Sequence, residues 1–180
     1  MTAFMQSGLD GLLMGGVYAL AALGISLIFG VMKITNFAHG ALLTLGMYIT
    51  FQIYSLTGAL PYIAMVPAVL IMFAIGYLIQ RGLLAHIMSA PSHNQLVLTL
   101  GLQLIVQNLI LMIWGSDYKR VSVASFDTAW RIGPLAVNKP RLIAFIFAFA
   151  ITLLLYFIME GTDLGKCMRA TSMEQDGAEL

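Results

Sequence analysis

Charge is what this sequence has least of. Charged side chains make up 9% of its 180 residues, against about 25% in a soluble domain. Only Asp10, Lys33 and Arg81 precede residue 117; every other charged residue lies in residues 117–180. A soluble fold is thereby excluded, and the first two thirds of the chain read as the part embedded in lipid. The single cysteine, Cys167, excludes an internal disulfide and offers no thiolate cluster. The three histidines, at 39, 86 and 93, have no spacing that favours a metal. There is no paired carboxylate inside the apolar region, no Ser-His-Asp set and no phosphate-cradling glycine loop. No enzymatic chemistry and no cofactor are expected. A net charge of +1 gives no reason to expect nucleic acid. No Lys or Arg precedes the first apolar run, and that run is too long for a signal peptide.

What the chain has instead is long apolar stretches. Hydrophobic residues are 60% of the total and the mean hydropathy is +0.91. Gly11 to Met32 carries no charge, and neither does Ile34 to Gln80. As a helix the first of these reaches about 33 Å, enough to cross a hydrocarbon core of about 30 Å. Lipid tolerates helices or closed barrels, and these runs lack the alternation of barrel strands. The expected fold is therefore all-α: a polytopic transmembrane helix bundle of about five segments, with an interrupted helix near Asn36 to Gly40.

The segments read in order as Gly11–Met32, Phe37–Tyr54, Pro61–Gln80, Gln95–Trp114 and Leu142–Met159. Gly11, Gly15 and Ala19, extended by Ala22, form a small-residue face on the first, suited to close helix packing in lipid. Thr35 or Asn36 is a plausible N-cap for the second. Thr57-Gly58-Ala59-Leu60-Pro61 reads as a tight turn, and Pro67 invites a kink in the third. The fourth carries Thr99, Gln103, Gln107 and Asn108, with Gln103 and Gln107 on one face. Residues 116–141 form a long extramembrane loop in which Val121–Phe126 and Trp130–Val137 suggest short strand-like pieces. Residues 160–180 are polar and helix-favouring beyond Gly165.

The polar insertion between the first two segments, Lys33 to Gly40, is costly at membrane depth unless something uses it. A helix starting there presents unpaired N–H groups and a positive dipole end, which transporters use to hold anionic groups. Asn36 and His39 flank one helical turn, and Gly40 permits close backbone approach. Packing is the competing explanation for each. A secondary carrier or channel is a second possibility, but such proteins more often show an intramembrane carboxylate or lysine, and none lies between Lys33 and Arg81.

Several blocks resemble a known family. Gly15-Gly16-Val17-Tyr18-Ala19-Leu20, Gly24 to Val31 and Asn36-Phe37-Ala38-His39-Gly40 are similar to the branched-chain amino acid ABC-transporter permeases, in their H-type subunit. Thr99-Leu100-Gly101, Gln107-Asn108, Trp114-Gly115 and Gly165-Lys166-Cys167-Met168-Arg169-Ala170, with Asp176, Ala178 and Leu180, fit the same pattern. The resemblance covers essentially the whole chain, and the Asn-Phe-Ala-His-Gly block is its specific part. It implies an inner-membrane permease domain over residues 1–180, incomplete at its C-terminus, that imports branched-chain or related amino acids and is not itself an enzyme.

The resemblance also implies partners: a second homologous permease, two cytoplasmic ATP-binding subunits and an extracytoplasmic substrate-binding protein. Asn36, Phe37, His39, Gly40, Thr99, Gly101, Gln107 and Asn108 would line the substrate pathway. Residues 160–180 would be the cytoplasmic coupling region, with Gly165, Arg169, Ala170, Asp176, Ala178 and Glu179 towards the ATPase. The loop 116–141 would face outward, although the positive-inside rule mildly prefers the reverse. Ala41 departs from the acidic or polar residue that relatives often carry, leaving substrate choice open. A urea-type permease of the same superfamily uses a similar block.

Overall fold

The structure, a computed structural model, describes residues 1–32, 35–87, 90–121, 129–132 and 135–173. In chain order the elements are α1 (Thr2–Met32), α2 (His39–Thr57), α3 (Pro61–Gly82), a 3-10 turn at Leu84–His86, α4 (Ser92–Trp114), β1 (Ala129–Ile132), β2 (Leu135–Asn138), α5 (Lys139–Gly161) and α6 (Asp163–Met173). They divide into two compact units. One comprises Met1–Lys33 with Ser122–Leu180, and the other Ile34–Val121.

In the first unit α1 packs along α5. The contact forms at Gly16, where an added Cβ would fall against the ring of Phe145. Leu13 and Ala148 are buried nearby in sequence to that contact. The small-residue face expected at Gly11, Gly15 and Ala19 is not the one that meets α5: Gly11 and Gly15 have open space where a Cβ would sit, and Ala19 is exposed. Helical spacing identifies a face that another helix can approach. It does not identify which face is approached.

β1 and β2 form an antiparallel hairpin pairing Trp130 with Val137. A lone two-stranded hairpin is marginal in water, and this one is tied to both helices. The Gln6 amide donates to the Ala136 carbonyl at 2.8 Å and accepts from its N–H at 2.9 Å, so the side chain acts as a short extra strand. Arg141 pairs with Asp10 at 3.0 Å, and Gln6 donates to the same carboxylate at 3.0 Å. Asn138 caps α5 by accepting from the Arg141 N–H, so α5 starts earlier than the Leu142 expected from charge.

These contacts join the start of α1 to the start of α5, while α6 packs against α1 beyond the far end of α5. The two helices therefore run parallel. Among the described residues, four helices are long and apolar enough to cross a membrane: Thr2–Val31, Pro61–His86, His93–Trp114 and Lys139–Gly161. α2, with 19 residues, is more polar and falls outside that set. If α1 and α5 cross in the same direction, an odd number of crossings must lie between them. α3 and α4 supply two, so α2 supplies the third, and its length of about 28 Å suffices.

The second unit agrees. α2 packs against α3 and α4 around Ala38, Ala41, Leu102, Val106 and Ile110. Gly58, at φ +66°, ends α2 with its N–H on the Tyr54 carbonyl, and Pro61 opens α3 after that turn. Trp114 donates to Gln52 at 2.9 Å and stacks obliquely on Tyr48, with ring centroids 5.3 Å apart. α2 and α4 thus run parallel, with α3 returning between them in sequence. Pro67 lies inside α3. Of the two strand-like pieces expected in the loop, Trp130–Val137 is the hairpin and Val121–Phe126 falls almost wholly outside the described residues.

Gly16→Val should lower thermal stability in detergent by about 1–3 kcal/mol through overpacking against Phe145. Gly15→Ala should change it by less than about 0.5 kcal/mol, as expected where nothing is touched. Equal losses at the two positions would contradict the packing described.

Candidate functional site

α1 stops at Met32 and α2 starts at His39. Between them, Asn36 is 5% exposed and turns its side chain onto its own backbone. Its Oδ1 accepts from the Ala38 N–H at 3.0 Å, and its carbonyl accepts from the His39 N–H at 3.3 Å. The next turn continues with Leu42 N–H on the Ala38 carbonyl at 2.9 Å. Asn36 thus closes an Asx turn immediately before α2, while Ala38, at the N-cap position of that helix, has no side-chain capping bond, so the N-cap expected at Thr35 or Asn36 sits two or three residues early.

α4 holds this break from the side. Thr99 has no exposed surface, and its hydroxyl is shared between the Thr35 carbonyl at 3.3 Å and the Leu96 carbonyl at 3.1 Å. The same α4 face carries Gln95 and Leu102, both buried. Gln95 donates to the Ile87 and Ala90 carbonyls at 3.3 and 3.0 Å, fastening the connection before α4. Asn36 and Thr99 are therefore brought to one place, and Ala38, wholly buried, fills the space with them.

The other expected pathway residues lie more openly. Phe37 is 48% exposed, His39 is half-buried and Gly40 exposed. A Cβ would meet nothing at Gly40 or at Gly101. Gln107 and Asn108 are exposed and about 12 Å further along α4 than Thr99, so they do not share the helix break. The Asn108 amide donates back to the Leu104 carbonyl at 2.7 Å.

Three cavities stand out, and none of these pathway residues lines them. One of about 510 Å³ lies between α2 and α3, walled by Met47, Phe51, Tyr62, Met65 and Met72. A second, about 330 Å³, shares Met47 and Phe51 and reaches Tyr118 and Lys119. A third, about 270 Å³, lies in the first unit among Leu27, Val31, Met159, Met168 and Arg169. No cluster of side chains suited to a metal occurs among the described residues.

At the other expected site, Gly165 is buried and Ala170 exposed, and Arg169 pairs with Glu160 at 2.9 Å. Asp176, Ala178 and Glu179 lie outside the described residues. Reading the residues alone missed Thr162, Glu160, Gln6 and Gly16. Thr162, followed by Asp163 and Gly165, does carry the N-cap signal of a new helix. The others are defined by partners far away in the sequence.

The family described as branched-chain amino acid transport system, permease component, matches residues 8–180. The chain belongs to that family. The high-affinity branched-chain amino acid transport system permease protein LivH of Escherichia coli K12 is 26% identical over 98% of this chain and 61% of its own length. LivH of Salmonella typhimurium is 24% identical with the same coverage. BraD of Pseudomonas aeruginosa is 23% identical over 93% of the chain and 58% of its own. This family member thus spans about three fifths of the length of those relatives. No solved structure matches it. Ala41 is 4% exposed in the α2–α4 core, so an apolar residue there answers to packing.

Asn36→Ala should cost about 1 kcal/mol and speed hydrogen exchange at the Ala38 amide, with Asn36→Asp close to the original. Thr99→Val should cost about 1–3 kcal/mol by leaving the Thr35 carbonyl short of a partner. Unchanged exchange at Ala38 in Asn36→Ala would exclude this role for the Asn36 oxygen.

Proposed function

We propose that this chain is part of an inner-membrane permease of an ABC importer for branched-chain or related amino acids, and that the break before α2 borders the translocation pathway. The family match across residues 8–180 carries this reading. In it, Asn36 and Thr99 hold the break in shape. Phe37, His39 and Gly40, more open at the start of α2, meet the solute, and Gly101 leaves room beside them. Gln107 and Asn108 add support: exposed amides on a membrane-crossing helix are costly in hydrocarbon and call for water or another helix.

Transport requires that the solute bind differently in two conformations. The energy to switch them comes from two ATP-binding subunits. A second homologous permease completes the pathway, and an extracytoplasmic binding protein delivers the solute. Residues 160–180, including Gly165, Arg169, Ala170, Asp176, Ala178 and Glu179, form the coupling region. The parallel α1 and α5 are consistent with this sidedness, since they put the hairpin with the N-terminal end and α6 at the opposite end.

The reading is tested by ATP-dependent leucine uptake into proteoliposomes that carry the full transporter, with urea as the competing substrate. Asn36→Ala and His39→Ala should each reduce leucine uptake by about tenfold, the scale of one lost polar interaction. Full leucine uptake in both variants would remove the pathway assignment, and uptake of urea alone would replace the substrate class.

A further inference from the structure

The joint between α5 and α6 is built from one residue. α5 ends at Gly161, α6 begins at Asp163, and Thr162 between them is extended at φ −111° and ψ 156°. Its hydroxyl donates to the Ile158 carbonyl at 2.6 Å and accepts from the Gly165 N–H at 3.2 Å. Its own N–H reaches the Ile158 carbonyl at 3.2 Å, and its carbonyl accepts from the Lys166 N–H at 3.1 Å. Thr162 therefore closes one helix and opens the next, leaving no slack residue for a hinge.

Two further contacts cross the corner. Gly165 is buried against the last turn of α5, where a Cβ would lie 2.6 Å from the Ile158 carbonyl oxygen and also strike the carbonyl of Met159. These are backbone atoms of a continuous helix, and they cannot swing aside as a side chain would. Arg169, one turn further along α6, reaches back to Glu160 at 2.9 Å. α6 is thus held at its start, in its first turn and in its second turn.

We propose that the α5–α6 joint is a rigid elbow, in which Thr162 and Gly165 are positioning residues that fix α6 to α5. A push on α6 is then delivered to α5 as a lever, and through the Gly16–Phe145 contact to α1, with no hinge to absorb it. The proposal rests on the reading of residues 160–180 as the coupling region.

The test uses the full permease in its assembled complex, with native cysteines replaced, Cys167 among them, and spin labels at the exposed positions Phe157 and Ala170. The label-to-label distance should be narrowly distributed in the wild type and in Thr162→Ser. It should broaden in Gly165→Ala and in Thr162→Val, which removes the hydroxyl while keeping the shape. In the same preparations, leucine taken up per ATP hydrolysed should fall about tenfold in Gly165→Ala and Thr162→Val and recover in Thr162→Ser, within the range of known coupling effects. A broad wild-type distribution would overturn the elbow. So would wild-type widths and wild-type uptake per ATP in both Gly165→Ala and Thr162→Val. A wild-type complex that takes up no leucine would instead overturn the transport reading, while the label widths would still decide the elbow.

Discussion

Where the chain leaves α1 and turns into α2, backbone groups lose their helical partners, and those that are buried must find others within the protein. That constraint accounts for the geometry around residue 36. The Asn36 oxygen takes the Ala38 N–H just before α2, and the Thr99 hydroxyl takes the Thr35 carbonyl. α4 is drawn to the break by this need, and the packing of Leu102, Val106 and Ile110 against Ala38 and Ala41 follows along the same face. Small residues on α2 let α4 approach closely enough for a hydroxyl to reach across. Polar satisfaction and apolar packing thus depend on the same approach.

The same economy of polar groups explains the first unit. Asp10 lies within a long apolar helix, where a lone carboxylate would be costly. Arg141 and Gln6 surround it with donors, and Gln6 also completes the hairpin edge through Ala136. One cluster therefore serves three ends: it pairs a charge, covers an open strand edge and sets α1 parallel to α5.

Much of this was legible in the sequence because helices in lipid announce themselves by composition. The break after Met32, the turn at Gly58, the start at Pro61 and the end at Trp114 all follow from local residue types. The start of α1 did not, since a window without charge stops at Asp10, and the residue that neutralises Asp10 lies more than a hundred positions away. Gly16 was likewise invisible among several glycines, because periodicity names faces and only a neighbour chooses one. Asn36 was legible as a residue that binds nearby backbone, although α2 starts two residues later than an N-cap there would put it. That its oxygen is occupied by its own backbone, leaving more open positions to Phe37 and Gly40, required coordinates. The family block at residues 36–40 combines both kinds of residue, those that hold the turn and those that face outward from it.

The two units differ in how they are written along the chain. The second is one continuous stretch, Ile34–Val121, whereas the first joins residues 1–33 to residues 122 onward. On a ribosome, α1 emerges before the second unit and must remain without its mate while α2, α3 and α4 are made and can already pack together. Only when α5 leaves the translation tunnel do Asp10 and Gly16 meet Arg141 and Phe145. α1 is therefore made before the second unit and locked in place after it, and Asp10 must be tolerated without Arg141 until then.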